Sequence, residues 1–501
     1  MKNELYVTTT IPYVNAPPHV GFALELVQAD ALVRYHRLLG KTVRFQTGTD
    51  ENAFKNVLSA RTRGIPVEQL VQENAARFEV LCTQLGISVD RFLRTTETVH
   101  RDAVHAFLAR LRPGDVYSTS YRGLYCTGCE DFYLERDLDG ACCPDHGSAV
   151  TTVDERNHFF RLSAYQSQLD ELISSRRIRI EPEAREAEVL QFVRRGLVDI
   201  SISRAASRSA GWGIPFPGDP DQVVYVWIDA LINYLSGLDF PNGELSLRFW
   251  NPETPKWHII GKNVWKFHAV YWPALLLSAG LPIPDRIVAH GFLTIEGKKI
   301  SKSDAHSPDP NEYIRKYGPD ALRYFLLRQV RTFADTDFSE ARLAEVYDAD
   351  LANGLGNLVS RLSALCETVQ LNGLTQIAVP AAPVAYHEHV SEFRFDRALE
   401  VLWGEASRID REIAETRPWQ DVSAGRFERA RATLFDWVQR LDGLAYWLGP
   451  FLPSASASIR AYLAAPRIKK EPALFPRLRV GGRWGTQIGG RVDPDRSDLL
   501  A

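Results

Sequence analysis

The sequence predicts an α/β protein built on a parallel, doubly wound sheet, interrupted by an insertion and followed by an α-helical bundle. Three observations predict it. Residues 5–47 read as strand, loop, helix, strand, the opening unit of such a sheet. The α/β pattern returns at 222–227 and 256–261 and runs to about residue 330. From about residue 340 onward, apolar residues recur at spacings of three and four, the mark of packed helices.

The elements follow in order. Leu5-Tyr6-Val7-Thr8-Thr9-Thr10-Ile11 is rich in β-branched and aromatic types and reads as a strand. A Pro-rich turn spans Pro12 to Pro18. After His19-Val20-Gly21, the stretch Phe22 to Leu39 has helical apolar spacing, and Gly40 stops it. Thr42 to Thr47 reads as a second strand. The region 117–220 has another texture: a cysteine cluster, many charges and short alternating segments such as His158-Phe159-Phe160-Arg161-Leu162. It reads as an insertion between two halves of the sheet domain. Gln222 to Trp227 and Lys256 to Gly261 read as the returning α/β pattern. Ala341 to Cys366, Phe395 to Ile413 and Phe427 to Leu448 read as helices, the last ended by Gly449-Pro450. The expected division is a first half-domain at 1–116, the insertion at 117–220 and a second half-domain at 221–288. A connecting segment at 289–345, a helical domain at 346–465 and a tail at 466–501 complete it. The tail is rich in Gly, Arg and Asp and is expected to be partly disordered.

Composition bounds the partners weakly. The formal net charge is -3, which neither demands nor excludes nucleic acid, because a local basic patch binds phosphates on a mildly acidic protein. Met1-Lys2-Asn3-Glu4 lacks the charged-then-apolar pattern of a signal peptide. The longest apolar candidate, around Trp272 to Leu281, is broken by Pro273 and Gly280, so no membrane association and a cytoplasmic location are expected.

Four of the six cysteines fall between Cys126 and Cys143. Cys126-Thr127-Gly128-Cys129 and Cys143-Pro144-Asp145-His146 form C-x-x-C and C-x-x-H pairs. Such pairs suit a tetrahedral Zn²⁺ with Cys126, Cys129, Cys143 and His146 as ligands. Cys142 competes for one position but breaks the two-residue spacing to His146. Four protein ligands leave no open position for a substrate water, so one structural zinc per chain is expected.

Two further segments carry chemistry. His19-Val20-Gly21 sits at a strand-to-helix junction, where free backbone N–H groups and the helix dipole suit phosphate. Lys298-Lys299-Ile300-Ser301-Lys302-Ser303 follows His290-Gly291-Phe292-Leu293-Thr294-Ile295, and lysines on a loop can stabilise charge on a transferring triphosphate. Alone, the first reads as a turn glycine with a surface histidine and the second as a solvated basic loop.

Together, on α/β scaffolding, they form the double signature of class I aminoacyl-tRNA synthetases, and the chain resembles the methionyl-tRNA synthetases among them. The resemblance rests on Thr8-Thr9-Thr10-Ile11-Pro12-Tyr13-Val14-Asn15-Ala16-Pro17-Pro18-His19, on Thr47-Gly48-Thr49-Asp50-Glu51 and on Tyr225-Val226-Trp227-Ile228-Asp229-Ala230. Ile260-Gly261-Lys262 and Tyr317-Gly318-Pro319-Asp320-Ala321-Leu322-Arg323-Tyr324 extend it, in the family's order from about residue 5 to about 478.

The resemblance implies a class I Rossmann-like sheet with a zinc-bearing connective insertion, a lysine-loop and stem-contact segment, and a helical anticodon-binding domain. It implies that methionine is activated with Mg²⁺-ATP and transferred to tRNA(Met). Catalytic roles fall on His19, Lys299 and Lys302, and ATP binding on His19, Gly21, Gly261, Asn263 and Lys302. The methionine site takes Ile11, Tyr13, Asp50, Trp227, Ala230, Leu231, Tyr234 and His268. Asp50 suits the ammonium group, the aromatic walls suit the polarisable thioether, and the Tyr234 hydroxyl and Ile11 N–H suit the sulfur. Asn357, Arg361 and Trp419 match positions that read a CAU anticodon, with Asn357 and Arg361 four apart on one helix face. No separate C-terminal tRNA-binding module is apparent, so a monomer is expected.

The chain also departs from the family. Phe22 stands for a second His that would donate a hydrogen bond, a loss worth ~2.7–4 kcal/mol of barrier. Asn52-Ala53 replaces His-Gly, and Asn263 replaces an Asp whose carboxylate would hold the ATP ribose. Ile300 replaces a Met, and Asp304-Ala305-His306 stands where Gly-Asn is usual. A working, divergent synthetase is the reading. The alternatives are a paralogue with an altered amino-acid or tRNA substrate, or a non-catalytic tRNA-binding or regulatory protein.

Overall fold

The computed structural model describes residues 3–128, 130–133, 135–144, 147–300, 308–374, 380–470 and 472–478. Its centre is a six-stranded sheet of β1 (Glu4–Thr9), β2 (Thr42–Thr49), β3 (Arg91–Arg94), β4 (Arg179–Glu181), β5 (Lys256–Gly261) and β6 (Arg286–His290). The spatial order is β3-β2-β1-β5-β6-β4, and every pairing is parallel. β1 shows why the sequence reads as it does. Leu5 and Val7 enter one core while Tyr6 enters the other, as alternation in a sheet covered on both faces requires.

The first core packs the Val20–Leu38 helix against β1 and β2 and runs on through Leu322 to Leu327 into the helical region. The second packs the Val226–Ser236 and Trp272–Ser278 helices on the opposite face. The helical region includes Asn357–Thr368, Phe395–Thr416, Phe427–Leu448 and Pro453–Leu463. Of the expected tail, the described part folds back: Ile468 and Phe475 are buried, and the Tyr347 hydroxyl donates to Pro476 O at 2.6 Å.

Two details differ from the sequence reading. Asp219–Val224, within the expected return of the sheet domain, pairs antiparallel with Ser203–Ala205 and Pro215–Phe216 in a separate three-stranded sheet. Conversely, β4 comes from inside 117–220 yet joins β6 at the sheet edge. The remainder of that stretch includes a four-stranded sheet built on Val116–Cys126 and Thr151–Phe160. Among the described residues, no helix is long and apolar enough to cross a membrane.

One buried ion pair ties the sheet domain to the helical region. Arg323, fully buried, meets Asp30 of the Val20–Leu38 helix at 2.7 Å. Its remaining N–H groups donate to Phe451 O at 2.8 Å, Pro450 O at 3.0 Å and Leu85 O at 3.3 Å. Removing one partner of a buried pair leaves charge and carbonyls unsatisfied. Arg323→Met is therefore expected to lower unfolding free energy by about 3–5 kcal/mol. Urea denaturation of the two proteins side by side checks this, and an unshifted midpoint would remove the role.

Candidate active site

Strand order reverses between β1 and β5. β1 to β3 run outward on one side, and β5 and β6 on the other, so the crevice at the carboxyl ends of β1 and β5 is the natural ligand position. Thr9 lies opposite Ile259, so the loops leaving both strands start side by side.

The loop after β1 ends at His19, the N-cap of the Val20–Leu38 helix. His19 Nδ1 accepts Gly21 N–H at 3.1 Å, which leaves Nε2 to carry the ring proton of the neutral imidazole. A Cβ on Gly21 would stand 2.9 Å from His19 Cε1, so the glycine makes room for this ring. Phe22, in contrast, is buried and packs edge-on against Phe78 at 4.9 Å.

The opposite wall comes from β5. A Cβ on Gly261 would meet Asn263 Oδ1 at 3.1 Å, with Glu25 Oε2 at 4.0 Å. Gly261 thus opens a cradle bounded by an amide and a carboxylate. Glu25 was missed by the sequence reading, although a lone acid in the apolar run Phe22-Ala23-Leu24-Glu25-Leu26-Val27 is a legible signal. It accepts Thr10 N–H at 2.7 Å, and its other oxygen meets His290 Nε2 at 2.9 Å.

Lys299 lies opposite Thr294 in a short antiparallel pair, and its side chain falls outside the described residues. Lys302 lies outside them as well. The chain resumes at Pro308, whose carbonyl accepts Val20 N–H at 3.1 Å. Pro308 is therefore anchored at the helix start beside His19.

Apart from His268, the residues expected to bind the amino acid lie on the loops after β1 and β2 and on the Val226–Ser236 helix. Tyr13 and Asp50 form a parallel bridge, with Asp50 N–H donating to Pro12 O at 2.9 Å. Asp50 is 1% exposed, and its Oδ1 has no hydrogen-bond partner among the described residues. Its acidity is weakened well beyond the ordinary carboxylate range, by burial first and then by Asp229 and Glu130. The neighbouring carboxylates are engaged: Glu51 by Arg94 at 2.7 Å, and Asp229 by His100 and by Asn52 Nδ2 at 2.7 Å.

Trp227 lies 5.8 Å from Tyr13 and stacks on Phe267 at 3.9 Å. Phe267, also missed, opens a π-wound segment, Phe267–Tyr271, whose extra residue per turn leaves no sequence pattern. His268, next along it, donates from Nδ1 to Val264 O at 2.9 Å and accepts the Tyr234 hydroxyl on Nε2 at 2.7 Å. Burial holds His268 neutral, its pKa pushed down to about 4. The Tyr234 proton thus goes to His268, not to an open position for sulfur. Ala230 and Leu231 are buried on the same helix, and Ile11 is half-buried in the loop after β1.

Of the expected metal ligands, Cys126 and Cys143 are described, and Cys129 and His146 lie outside the described residues. Both described thiols are buried, with Cys143 Sγ 3.6 Å from the Tyr133 hydroxyl. Cys143 O accepts Gly147 N–H, and Cys143 N–H donates to Ser148 O, each at 2.8 Å. Burial of both described thiols is what a closed thiolate site requires. Cys142 is only half-buried, which favours Cys143. Among the described residues no three potential ligands gather.

In the helical region, Arg361 lies 5.7 Å from the Trp419 ring and pairs with Asp410 at 2.9 Å. Trp419 is 40% exposed, two residues after the left-handed Arg417. Exposed Asn357 opens the Asn357–Thr368 helix one turn before Arg361.

Comparison with known proteins places the chain in a family. The family model for tRNA synthetases class I (M) matches residues 5–154 and 143–363. A methionine–tRNA ligase of Thermotoga maritima is 36% identical over 477 residues, covering 91% of this chain and 74% of that protein. One from a Nostoc species is 38% identical over 500 residues, covering 96% and 93%. The crystal structure of Mycobacterium tuberculosis methionyl-tRNA synthetase bound by methionyl-adenylate superposes with a TM-score of 0.85 at 34% identity, covering 94% of this chain and 100% of that one. The chain belongs to the methionyl-tRNA synthetases, the methionine–tRNA ligases of class I.

Proposed function

We propose that this chain joins methionine to tRNA(Met) in two steps at the β1–β5 crevice. The observation that carries the reading is Asp50: a buried carboxylate with a vacant oxygen, beside aromatic walls, at the same sheet end as His19. Such a group calls for a small cation with an apolar side chain, which an amino acid supplies. Asp50 takes the α-ammonium. Ile11, Tyr13, Trp227, Ala230, Leu231, Tyr234 and His268 surround the thioether.

In the first step a methionine carboxylate oxygen attacks the α-phosphorus of Mg²⁺-ATP. The bond to the β-phosphate oxygen breaks, and pyrophosphate leaves. His19 Nε2–H, the N–H groups by Gly21, and Lys299 and Lys302 stabilise charge on the phosphates. Gly261 and Asn263 hold the nucleoside. This is positioning and electrostatics. In the second step the terminal ribose hydroxyl of tRNA attacks the methionyl carbonyl, and AMP leaves. Asn357, Arg361 and Trp419 read the anticodon by stacking and edge hydrogen bonds. The half-domains at 1–116 and 221–288 do the chemistry, and 346–465 reads the RNA. Cys126, Cys129, Cys143 and His146 would hold a structural Zn²⁺, which would lock the knuckle of the insertion.

The buried Phe22 and the amide of Asn263 favour a second reading, a tRNA-binding scaffold without activation. Methionine-dependent ATP–pyrophosphate exchange separates the two. Clear exchange removes the scaffold reading, and none with intact tRNA binding establishes it. Within the first reading, Lys302→Ala lowers exchange by at least about tenfold with little change in methionine affinity. An unaltered rate would count against the lysine.

Asp50 gives a pH dependence. Its carboxylate form pairs with ammonium, and its neutral form does not. Because its pKa is raised well above the ordinary value, methionine affinity falls as pH drops through a range above about 4, where free carboxyls are still ionised. Fluorescence titration at stepped pH measures this, and affinity flat down to the ordinary carboxylate range would refute it. Metal analysis of the untagged protein is expected to find one zinc per chain, lost in Cys126→Ser together with thermal stability. A zinc-free wild type would refute the knuckle.

A further inference from the structure

One buried carboxylate beside the knuckle takes no part in the steps above. Glu130 is 4% exposed and stands at φ 56, a left-handed conformation that residues bearing a Cβ adopt only at a cost. The conformation has a consequence. The carboxylate reaches the start of the Phe54–Arg63 helix, where it accepts Lys55 N–H at 2.9 Å and also Phe54 N–H. That helix has no cap of its own, because Ala53 at its N-cap offers no side-chain acceptor. Ala53 lies three residues after Asp50, so the end of the turn carrying Asp50 is fastened from another part of the chain.

The rest of that turn is fastened from elsewhere. Glu51 N–H donates to Thr95 Oγ1 at 2.8 Å, and Trp212 Nε1 donates to Glu51 O at 2.8 Å. Asn56 Nδ2 also donates to Glu51 O at 2.8 Å, and Glu130 holds the N–H groups that follow the turn. It also faces the second wall of the pocket. Arg204, which pulls on the Glu130 charge, lies 3.8 Å from the ring of Tyr225. Tyr225 is the N-cap of the helix that carries Trp227, Ala230, Leu231 and Tyr234. Arg204 thus places a positive charge between Glu130 and the N-cap of that helix.

We propose that Glu130 is a positioning residue for the amino-acid site: its hydrogen bonds to Phe54 and Lys55 fix the turn that holds Asp50 against the substrate ammonium. The proposal rests on the methionine reading given above. Its action is on methionine, not ATP, because neither Gly261 nor His19 hangs on that turn.

The test uses the full chain with zinc content measured for each protein. Methionine-dependent exchange by the wild type is established first, so a failure of the reading itself shows there. Methionine dissociation constants then come from intrinsic tryptophan fluorescence without ATP, and ATP KM from exchange. Glu130→Ala is expected to weaken methionine binding by about tenfold, with ATP KM within about twofold and zinc retained. Glu130→Gln, whose amide oxygen still accepts a backbone N–H, is expected to stay within about threefold of wild type. Unchanged methionine affinity in Glu130→Ala overturns the proposal. So does a Gln variant as weak as the Ala variant, which would make charge the cause, or a loss that appears only where zinc is lost. A Gln variant that cannot be purified folded also overturns it, since it keeps the bonds held responsible.

Discussion

The meeting of Arg323 with Asp30 constrains everything else. Two opposite charges out of water are tolerated only when both are fully engaged. Here they are: Ser88 N–H and hydroxyl donate to Asp30 at 2.7 and 2.6 Å, and Arg34 joins at 2.8 Å. The carbonyls of Leu85, Pro450 and Phe451 take the remaining guanidinium protons. Three pieces of chain distant in sequence therefore share one cation. One is the helix that begins at His19. Another is the turn just after the Phe427–Leu448 helix. Sliding either piece would strand a charge, so the phosphate-facing helix start and the helical region keep one mutual arrangement.

Within that frame the departures from the family read differently from one another. Phe22 offers no donor at the proposed nucleotide site, because its ring packs on Phe78 in the core. Asn263 is a loss of charge at its own position only. Glu25 still presents a carboxylate to the same cradle, and it is shared with His290, whose Nδ1 donates to Gly291 O at 2.7 Å. The Glu25 carboxylate is thus held beside Gly261 by its 2.9 Å contact with His290 Nε2.

How far the sequence disclosed this depends on the physical signal. Lys256–Gly261 and Phe427–Leu448 stand at the expected bounds, because strand and helix periodicity is strong there. β4 escaped notice: Arg-Ile-Glu is too short for any period, and tertiary pairing alone makes it a strand. The π-wound Phe267–Tyr271 and Tyr347–Gly356 segments were equally invisible, since i to i+5 winding mimics an ordinary helix in composition. At the site, Tyr234, Leu231 and His268 read as core from residues alone, and they are buried as a core would be. Only resemblance marked them as a pocket. Trp419 shows the opposite case. It is 40% exposed, two residues after the left-handed Arg417. Glu130 had no sequence signal at all, because its role comes from a backbone angle.

The orientation of the Tyr234 hydroxyl has a consequence for selectivity. Val264 O can only accept, so His268 must donate from Nδ1, and its neutral Nε2 must then accept from Tyr234. The chain of donors runs one way and ends without a free proton. Sulfur is a weak acceptor and cannot compete for that proton against an imidazole nitrogen. Under the proposed methionine assignment, the thioether would be held by contact with the stacked Trp227 and Phe267, and by volume, not by a hydrogen bond from Tyr234. Discrimination by shape alone is worth ~1–3 kcal/mol per methylene. The orientation-fixing energy must then come from the other end of the substrate, where a buried carboxylate waits for a cation. The proposed recognition divides accordingly: charge at Asp50 would select an amino acid, and packing against the aromatic residues would select which one.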